Sequence, residues 1–379
     1  MSHKVVLPGS TIGIFGSGQL GRMFTLVAKR MGYRVCVFSP DAQSPTGQVC
    51  DHELVAHYDD REAVEDFARQ CDVITLEFEN IPVETVRWAS AITPVHPGES
   101  VLQVAQDRVI EKQSLADAGL PVTPFRAVRD RNELESIATE LGLPIVIKTT
   151  RSGYDGKGQR IVRESGALSE LAAQLDGPLI AEKMIDFDRE VSILVFRGLS
   201  GESGTFPLIE NHHANHILDF SICPAPDSDS LQESARKIAL QTAECLDLVG
   251  LLCIEMFVQR DGTLLINEIA PRPHNSGHLT IEAFVCCQYE QQLRAICGLP
   301  AGSTAQTAPA AMANLLGDIW ENGTPDFNAA TNIEEARLHL YGKASARVGR
   351  KMGHITATGL DTEQAVQRAT SARTALSQS

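Results

Sequence analysis

Between Leu251 and Ala270 the sequence spells out a hairpin that constrains the fold more than any other feature. The run Leu251-Leu252-Cys253-Ile254-Glu255-Met256-Phe257-Val258-Gln259 has the apolar character of a strand, and a second such run spans Thr263 to Ala270. Asp261-Gly262 between them is a strong two-residue turn signal, which pairs Arg260 with Thr263. Counting back from that turn puts Glu255 directly opposite Glu268. Opposed residues share a face and sit close, so the two carboxylates repel. Ile254, Met256, Leu265, Ile266 and Ile269 imply that both faces are buried, which makes the repulsion costlier. A divalent cation removes the conflict, and two carboxylates beside the Asn267 amide suit Mg²⁺ carrying substrate phosphates. A solvent-facing edge hairpin with an incidental acidic pair is the alternative.

The surrounding chain is long enough, at 379 residues, for two or three domains. Its net charge of −15 argues against general binding of nucleic acid or an anionic membrane, while leaving room for a locally positive pocket. No apolar run reaches membrane-spanning length, and residues 1–10 lack the apolar core of a secretory signal. Nine cysteines without zinc-type spacing, Cys36, Cys71, Cys245 and Cys253 lying in apolar strands or helices and Cys286 and Cys287 being adjacent, read as buried, reduced thiols in a cytoplasmic protein. An α/β fold is expected. Strands at 11–15, 34–38 and 73–78 alternate with helices at 19–31, 60–69 and 83–90, the pattern of a Rossmann-like parallel sheet. A helix at 107–118 follows. Strands at 143–150, 160–162 and 179–185 with a helix at 167–175 make a small unit with a glycine-rich loop, a plausible lid. A strand at 190–196 and a long helix at 230–248 lead into the hairpin. One helix is expected over roughly 281–297, and the chain ends in a polar tail expected to fray.

Several segments carry chemistry. Gly16-Ser17-Gly18-Gln19-Leu20-Gly21 follows a strand and opens a helix, a geometry that offers backbone amides to an anion. Asp41 lies at the distance a nicotinamide fingerprint requires, so a dinucleotide site is considered, although the turn can equally serve helix packing. Lys148 ends a strand, and Arg151 to Gln159, with three glycines, can fold over phosphates. Glu182-Lys183-Met184-Ile185 can offer a carbonyl and an amide to an adenine edge, and Glu190 can accept from ribose hydroxyls. His212, His213 and His216 invite a zinc reading, but polar contacts to substrate or nucleotide fit their spacing better. Pro271 and Pro273 fix the directions in which Arg272, His274 and Asn275 leave the hairpin. Near the end, Tyr341-Gly342-Lys343 and Arg347 to His354 gather positive charge that suits a second anion.

Taken together, Gly-Gln-Leu-Gly-Arg-Met at 18–23, Tyr-Asp-Gly-Lys-Gly-Gln at 154–159, Glu-Lys-Met-Ile at 182–185, Asn267-Glu268, His-Asn-Ser-Gly-His at 274–278 and Arg-Lys-Met-Gly-His at 350–354 resemble the ATP-grasp superfamily. Within it they are similar to the carboxylating synthases of bacterial-type purine biosynthesis, over nearly the whole chain; Ser17 stands where a third glycine is common. The resemblance implies a Rossmann-like domain over 1–109, an ATP-grasp region over 110–310 with a lid at 123–186 and a central antiparallel sheet, and a C-terminal portion over 311–379 completing the substrate site. It implies that ATP contacts Arg108, Lys148, the loop Gly153, Tyr154, Asp155, Gly156, Lys157, Gly158 and Gln159, then Glu182, Lys183, Met184, Ile185, Glu190, His213, Asn267 and Glu268, with Mg²⁺ on Glu255 and Glu268. Bicarbonate and 5-aminoimidazole ribonucleotide are the implied substrates. Gly18, Gln19, Leu20, Glu77, Glu79, Tyr154, Arg272, His274, Asn275, Lys343, Arg350 and Lys351 would hold the ribonucleotide, and Asp155, Lys157, Arg272 and Lys351 would act at the reacting groups. A homodimer is implied. A formate-using glycinamide ribonucleotide transformylase, a nicotinamide-dependent reductase and a non-catalytic nucleotide sensor are the rival readings.

Overall fold

The computed structural model describes residues 4–153, 157–226 and 229–377. At the N-terminus β1 (Thr11–Phe15), α1 (Gln19–Arg30), β2 (Arg34–Ser39), β3 (His52–Val55), α2 (Arg61–Arg69), β4 (Val73–Leu76), α3 (Val83–Ser90) and β5 (Val95–His96) build a parallel sheet in the order β3-β2-β1-β4-β5. Its strands are continuous apolar runs because both faces are covered. Ile12, Ile14, Val35 and Val37 enter one core, and Phe15, Cys36 and Phe38 the other. A Cβ on Gly13 of β1 would sit 2.7 Å from Cys71 Sγ, so a glycine lets α2 close on the sheet. Two helices, α4 (Glu99–Ala105) and α5 (Arg108–Asp117), lead out.

The second sheet is small and antiparallel. It comprises β6 (Phe125–Val128), β7 (Ile145–Thr149), β8 (Gln159–Val162) and β9 (Leu179–Lys183) in the order β6-β9-β7-β8, with α6 (Leu134–Leu141) and α7 (Leu168–Ala173) packed on it. The chain entering this unit is fastened elsewhere: Thr123 N donates to Ile266 O (3.1 Å), and Ile266 N to Pro121 O (2.7 Å).

The third sheet holds β10 (Phe187–Arg197), β11 (Ser203–Thr205), β12 (Ile209–Ala214), β13 (Ile217–Cys223), β14 (Gly250–Gln259), β15 (Leu264–Ala270), β16 (Ala310–Leu316), β17 (Ala336–Leu340) and β18 (Lys351–Thr358). Its order is β15-β14-β10-β12-β13-β16-β18-β17, with β11 beside β10. One face packs on α5 and α8 (Asp229–Cys245) through Leu115, Ala235, Ala239, Ile254 and Ile266.

Three expectations fail here. The helix expected over 281–297 is broken into α9 (Thr280–Ala283) and α10 (Gln288–Cys297), because Phe284 bridges to Gln306 and the Val285 and Cys286 amides donate to Ala305 and Ser303. The tail expected to fray forms, after the short α11 (Phe327–Thr331), a helix α12 (Thr362–Ala375). Asp361 caps it by accepting from Gln364 N (2.8 Å), and Ala365, Ala369 and Ala372 bury a narrow stripe that polar composition conceals. Cys245, read as interior, is exposed; all nine cysteines are free thiols.

Candidate active site

The β14–β15 hairpin places Glu255 opposite Glu268, as the sequence indicates, but by a different route. The loop is one residue longer than expected. Gln259 N donates to Thr263 O and Gly262 N to Gln259 O, both at 2.9 Å, with Gly262 left-handed at φ 84°. Register is restored one turn later, where Met256 faces Ile266 and Glu255 faces Glu268, so that Asn267 is an extra, bulged residue. Both carboxylates meet cationic side chains from other elements. Glu255 Oε1 lies 3.0 Å from His274 Nε2, and Glu268 Oε2 lies 3.8 Å from Arg108 Nη2. Burial opposes ionisation of Glu255, but His274 outweighs it and holds the carboxyl down at about 2. Burial and the Glu255 charge raise Glu268.

His274 is itself held in place from behind. Its Nδ1 meets Ser276 Oγ (2.9 Å), Ser276 meets Ser192 (2.8 Å), and Ser192 accepts from Asn211 Nδ2 (2.9 Å). Gln288 clamps the backbone of His274, accepting from its amide and donating to its carbonyl, each at 2.9 Å. Asn275 is 8% exposed, and neither atom of its amide has a partner. Such an orphaned amide is expensive unless a ligand completes it.

Arg108 comes from the start of α5, whose first turn is capped by Asp107. Arg108 Nη2 donates to the Gly153 carbonyl (2.9 Å), anchoring the start of the glycine-rich loop. Tyr154, Asp155 and Gly156 lie outside the described residues; Lys157 is exposed at the loop's far end, Gly158 is left-handed, and Gln159 pairs with Lys148. Lys148 Nζ donates to Glu182 Oε2 (2.8 Å), whose ionisation burial opposes and Lys148 and Lys112 restore. Glu182 Oε1 is buried without a partner. Of the amides in this segment, those of Lys183 and Met184 already donate to Pro124 O (2.9 Å) and Pro144 O (3.1 Å). Beside them Ile185 is buried. Glu190 contacts His213 Nδ1 directly, and although burial disfavours the imidazolium, Glu190 raises the ring above its usual value. His212 turns instead to Glu210 (2.6 Å). Lys112 and Glu111 are not singled out by the sequence, since charged residues on a helix carry no signal of burial by themselves. They are 1% and 3% exposed, and burial pushes Glu111 up to about 8.

The glycine turn after β1 is filled from within. Gly18 N donates to Glu77 Oε1 (2.5 Å) and Gly21 N to Glu77 Oε2 (2.9 Å), so these amides, expected to meet a ligand anion, are taken by the chain's own carboxylate. A Cβ on Gly18 would lie 2.7 Å from Glu77 Oε1. A dinucleotide pyrophosphate finds its place occupied, and Asp41 is exposed. Gln19 and Leu20 open α1 beside this contact. Glu79 grips Arg272 through Nε (2.5 Å) and Nη2 (3.2 Å), joining the N-terminal sheet to the loop after β15. Lys343 Nζ donates to Lys351 O (2.7 Å), and Gln48 holds Gly342 O (2.7 Å). Charge from Lys343 is felt at Glu77 and from Lys351 at Glu255. Arg350 is turned to Ser345 O (2.9 Å).

The donor set suits a hard cation and phosphates: opposed carboxylates on the hairpin, Arg108 beside Glu268, Lys148 on Glu182, and unpartnered polar atoms on Glu182 and Asn275. Comparison with known proteins agrees in outline. Residues 9–106 match the ribonucleotide synthetase preATP-grasp domain, 113–289 the ATP-grasp domain, and 310–368 the phosphoribosylaminoimidazole carboxylase C-terminal domain. The chain is 45% identical to the N5-carboxyaminoimidazole ribonucleotide synthase of Bacillus subtilis over 94% of its own length and 93% of that protein's. It superposes on an ADP complex of an N5-carboxyaminoimidazole ribonucleotide synthetase with a TM-score of 0.93 and 43% identity, covering 98% of each chain. An Aspergillus clavatus N5-carboxyaminoimidazole synthase, solved with ADP and 5-aminoimidazole ribonucleotide, matches with a TM-score of 0.88 at 30% identity, over 97% of this chain and 98% of that one.

Proposed function

The chain belongs to the N5-carboxyaminoimidazole ribonucleotide synthases of the ATP-grasp superfamily, and on that premise we propose that it carboxylates the exocyclic amine of 5-aminoimidazole ribonucleotide, consuming ATP and bicarbonate and releasing ADP and phosphate. It is an ATP-dependent ligase that serves purine biosynthesis. The observation carrying the residue-level reading is the opposed Glu255–Glu268 pair, with Arg108 beside Glu268 and Lys148 held on Glu182.

In this reading Glu255 and Glu268 hold Mg²⁺, with Asn267 beside them, and the bound ion offsets charge on the nucleotide phosphates. Arg108 and Lys148 stabilise the charge that builds on the transferring phosphoryl group. The base lies against Glu182–Ile185, and Glu190 with His213 orients the ribose side. Bicarbonate attacks the γ-phosphate, giving carboxyphosphate, and the amine captures its carboxyl group or the CO₂ it releases. Carboxyphosphate hydrolyses readily, so the small antiparallel unit acts as a lid that excludes water. Asp155 and Lys157 orient the amine and the carboxyl group, with Lys351 behind the latter. Glu77, Glu79, Arg272, His274, Asn275, Lys343 and Arg350 surround the ribonucleotide, and the Asn275 amide supplies the oriented donor and acceptor that a polar ligand completes. The domain limits proposed are 1–109, 110–310 with a lid at 123–186, and 311–379. The enzyme works as a cytoplasmic homodimer; among the described residues no helix is long and apolar enough to cross a membrane.

ADP formation from Mg²⁺-ATP and bicarbonate, with and without 5-aminoimidazole ribonucleotide, tests the reading. Strong stimulation by the ribonucleotide, with an acid-labile carbamate as product, is expected. Turnover with formate and glycinamide ribonucleotide instead would overturn the substrate assignment.

A further inference from the structure

Lys112 has no part in the chemistry above, yet it is 1% exposed on α5, one turn beyond Arg108. A lysine is seldom buried so completely unless its ammonium is fully engaged. Here Nζ donates to Thr123 Oγ1 (2.5 Å) and to the Asn267 carbonyl (2.8 Å), and lies 3.8 Å from Glu182 Oε2. The three partners belong to three separate pieces of the site. Thr123 is where the chain enters the lid, Glu182 stands on the lid's strand β9, and Asn267 is the bulged residue of the carboxylate hairpin.

A bulge leaves one residue outside the ladder, and its position along the strand decides which side chains face which way. Moving it past Glu268 would shift that residue by one register step and turn its carboxylate to the opposite face. A charged donor on the bulge carbonyl is stronger than a neutral one and fixes that position. We propose that Lys112 is a positioning residue for Mg²⁺-nucleotide binding, pinning the Asn267 bulge against the lid pivot so that Glu268 stays opposite Glu255. This rests on reading the carboxylate pair as the Mg²⁺-nucleotide site.

The test is calorimetric titration of the full chain with ADP, with Mg²⁺ and with a chelator in its place, for the parent, K112M and T123V. Thr123→Val removes one anchor of the ammonium while leaving its charge. K112M is expected to bind Mg²⁺-ADP about tenfold more weakly, and T123V about threefold. Binding of ADP without Mg²⁺ should stay within about twofold of the parent in both, because only the carboxylate pair has lost its setting. A residue that merely supports the fold would weaken ADP binding equally in the two conditions, and that result overturns the proposal. So does Mg²⁺-ADP binding like the parent's in both variants. Should K112M fail to fold, T123V decides by the same criterion. A parent that binds no Mg²⁺-ADP sinks the underlying site reading, whereas a binding parent with unchanged variants sinks the Lys112 role alone.

Discussion

The glycine turn after β1 and the β14–β15 hairpin both gather strong polar groups, and they resolve them in opposite ways. At the turn the positive end of α1 meets an internal partner: Glu77, arriving from the end of β4, takes the amides of Gly18 and Gly21. At the hairpin two carboxylates face each other, and the cations near them are shared with other duties: His274 is tied to Ser276, and Arg108 to the Gly153 carbonyl. Glu77 already has both amides as partners, although burial still raises it above its usual value. Two opposed carboxylates are stable only when something else joins them. One region is therefore finished by folding and the other by a ligand, and this separates an ATP-grasp enzyme from the dinucleotide-binding reading that its glycine fingerprint invites.

The sharpest way to break that contrast is Glu255→Gln. Losing one carboxylate should cost turnover about a hundredfold or more, since metal-assisted charge stabilisation is worth several kcal/mol. Thermal stability of the ligand-free protein should fall modestly, because the His274 contact that holds Glu255 ionised is lost along with the like-charge contact. Steady-state rates and a melting curve check both halves, and near-parental turnover would detach the pair from catalysis.

Arg272→Met is the next largest. It strands Glu79, whose ionisation burial opposes and Arg272 restores. Solvent still reaches both side chains, so the cost should fall near the low end for a broken interior pair, about 2 kcal/mol by denaturant unfolding. Ribonucleotide KM should rise with it.

Glu77→Gln sharpens the comparison from the other side. The amide keeps one acceptor oxygen for the Gly18 and Gly21 amides and loses the charge, so stability should fall by about 1 kcal/mol. ADP affinity should be unchanged, and ribonucleotide KM raised. A gain of nicotinamide dinucleotide binding would mean the turn is an anion site that Glu77 only blocks.

The smallest effect is a pH dependence at the nucleotide side. Glu190 raises His213 above its unfolded value, so the pair's contribution to stability is full below pH 6.5 and is lost as pH rises through the folded value. Melting temperatures of the ligand-free parent and H213Q should differ most at pH 5–6 and converge toward alkaline pH. A constant gap would show that the contact is not ionic.

Much of this was legible in the residues, and the failures share a physical cause. Apolar periodicity and turn chemistry are local, so the strands and helices of the first hundred residues follow from them. The carboxylate pairing was reached through two displacements that cancel: the loop holds Arg260, Asp261 and Gly262 rather than two residues, and the Asn267 bulge returns the register. No local signal marks that bulge, whose carbonyl is held by a lysine 155 positions away. The occupant of the glycine turn comes from 56 to 59 positions downstream, and the burial of Lys112 and Glu111 from a helix face that composition makes polar. Long-range partners decide these sites, and a single sequence names them only through the combined motifs of a family. The α12 stripe shows the same limit, since alanines at 365, 369 and 372 signal burial only once a sheet is there to receive them.

The most direct test of the open carboxylate pair is the affinity of ADP measured with and without Mg²⁺, in the parent and in Glu268→Gln. The account predicts that Mg²⁺ tightens ADP binding in the parent by about tenfold or more and leaves it unchanged in the variant. Equal tightening in both proteins would mean that the cation is held elsewhere, and that Glu255 and Glu268 face each other for a reason other than the nucleotide.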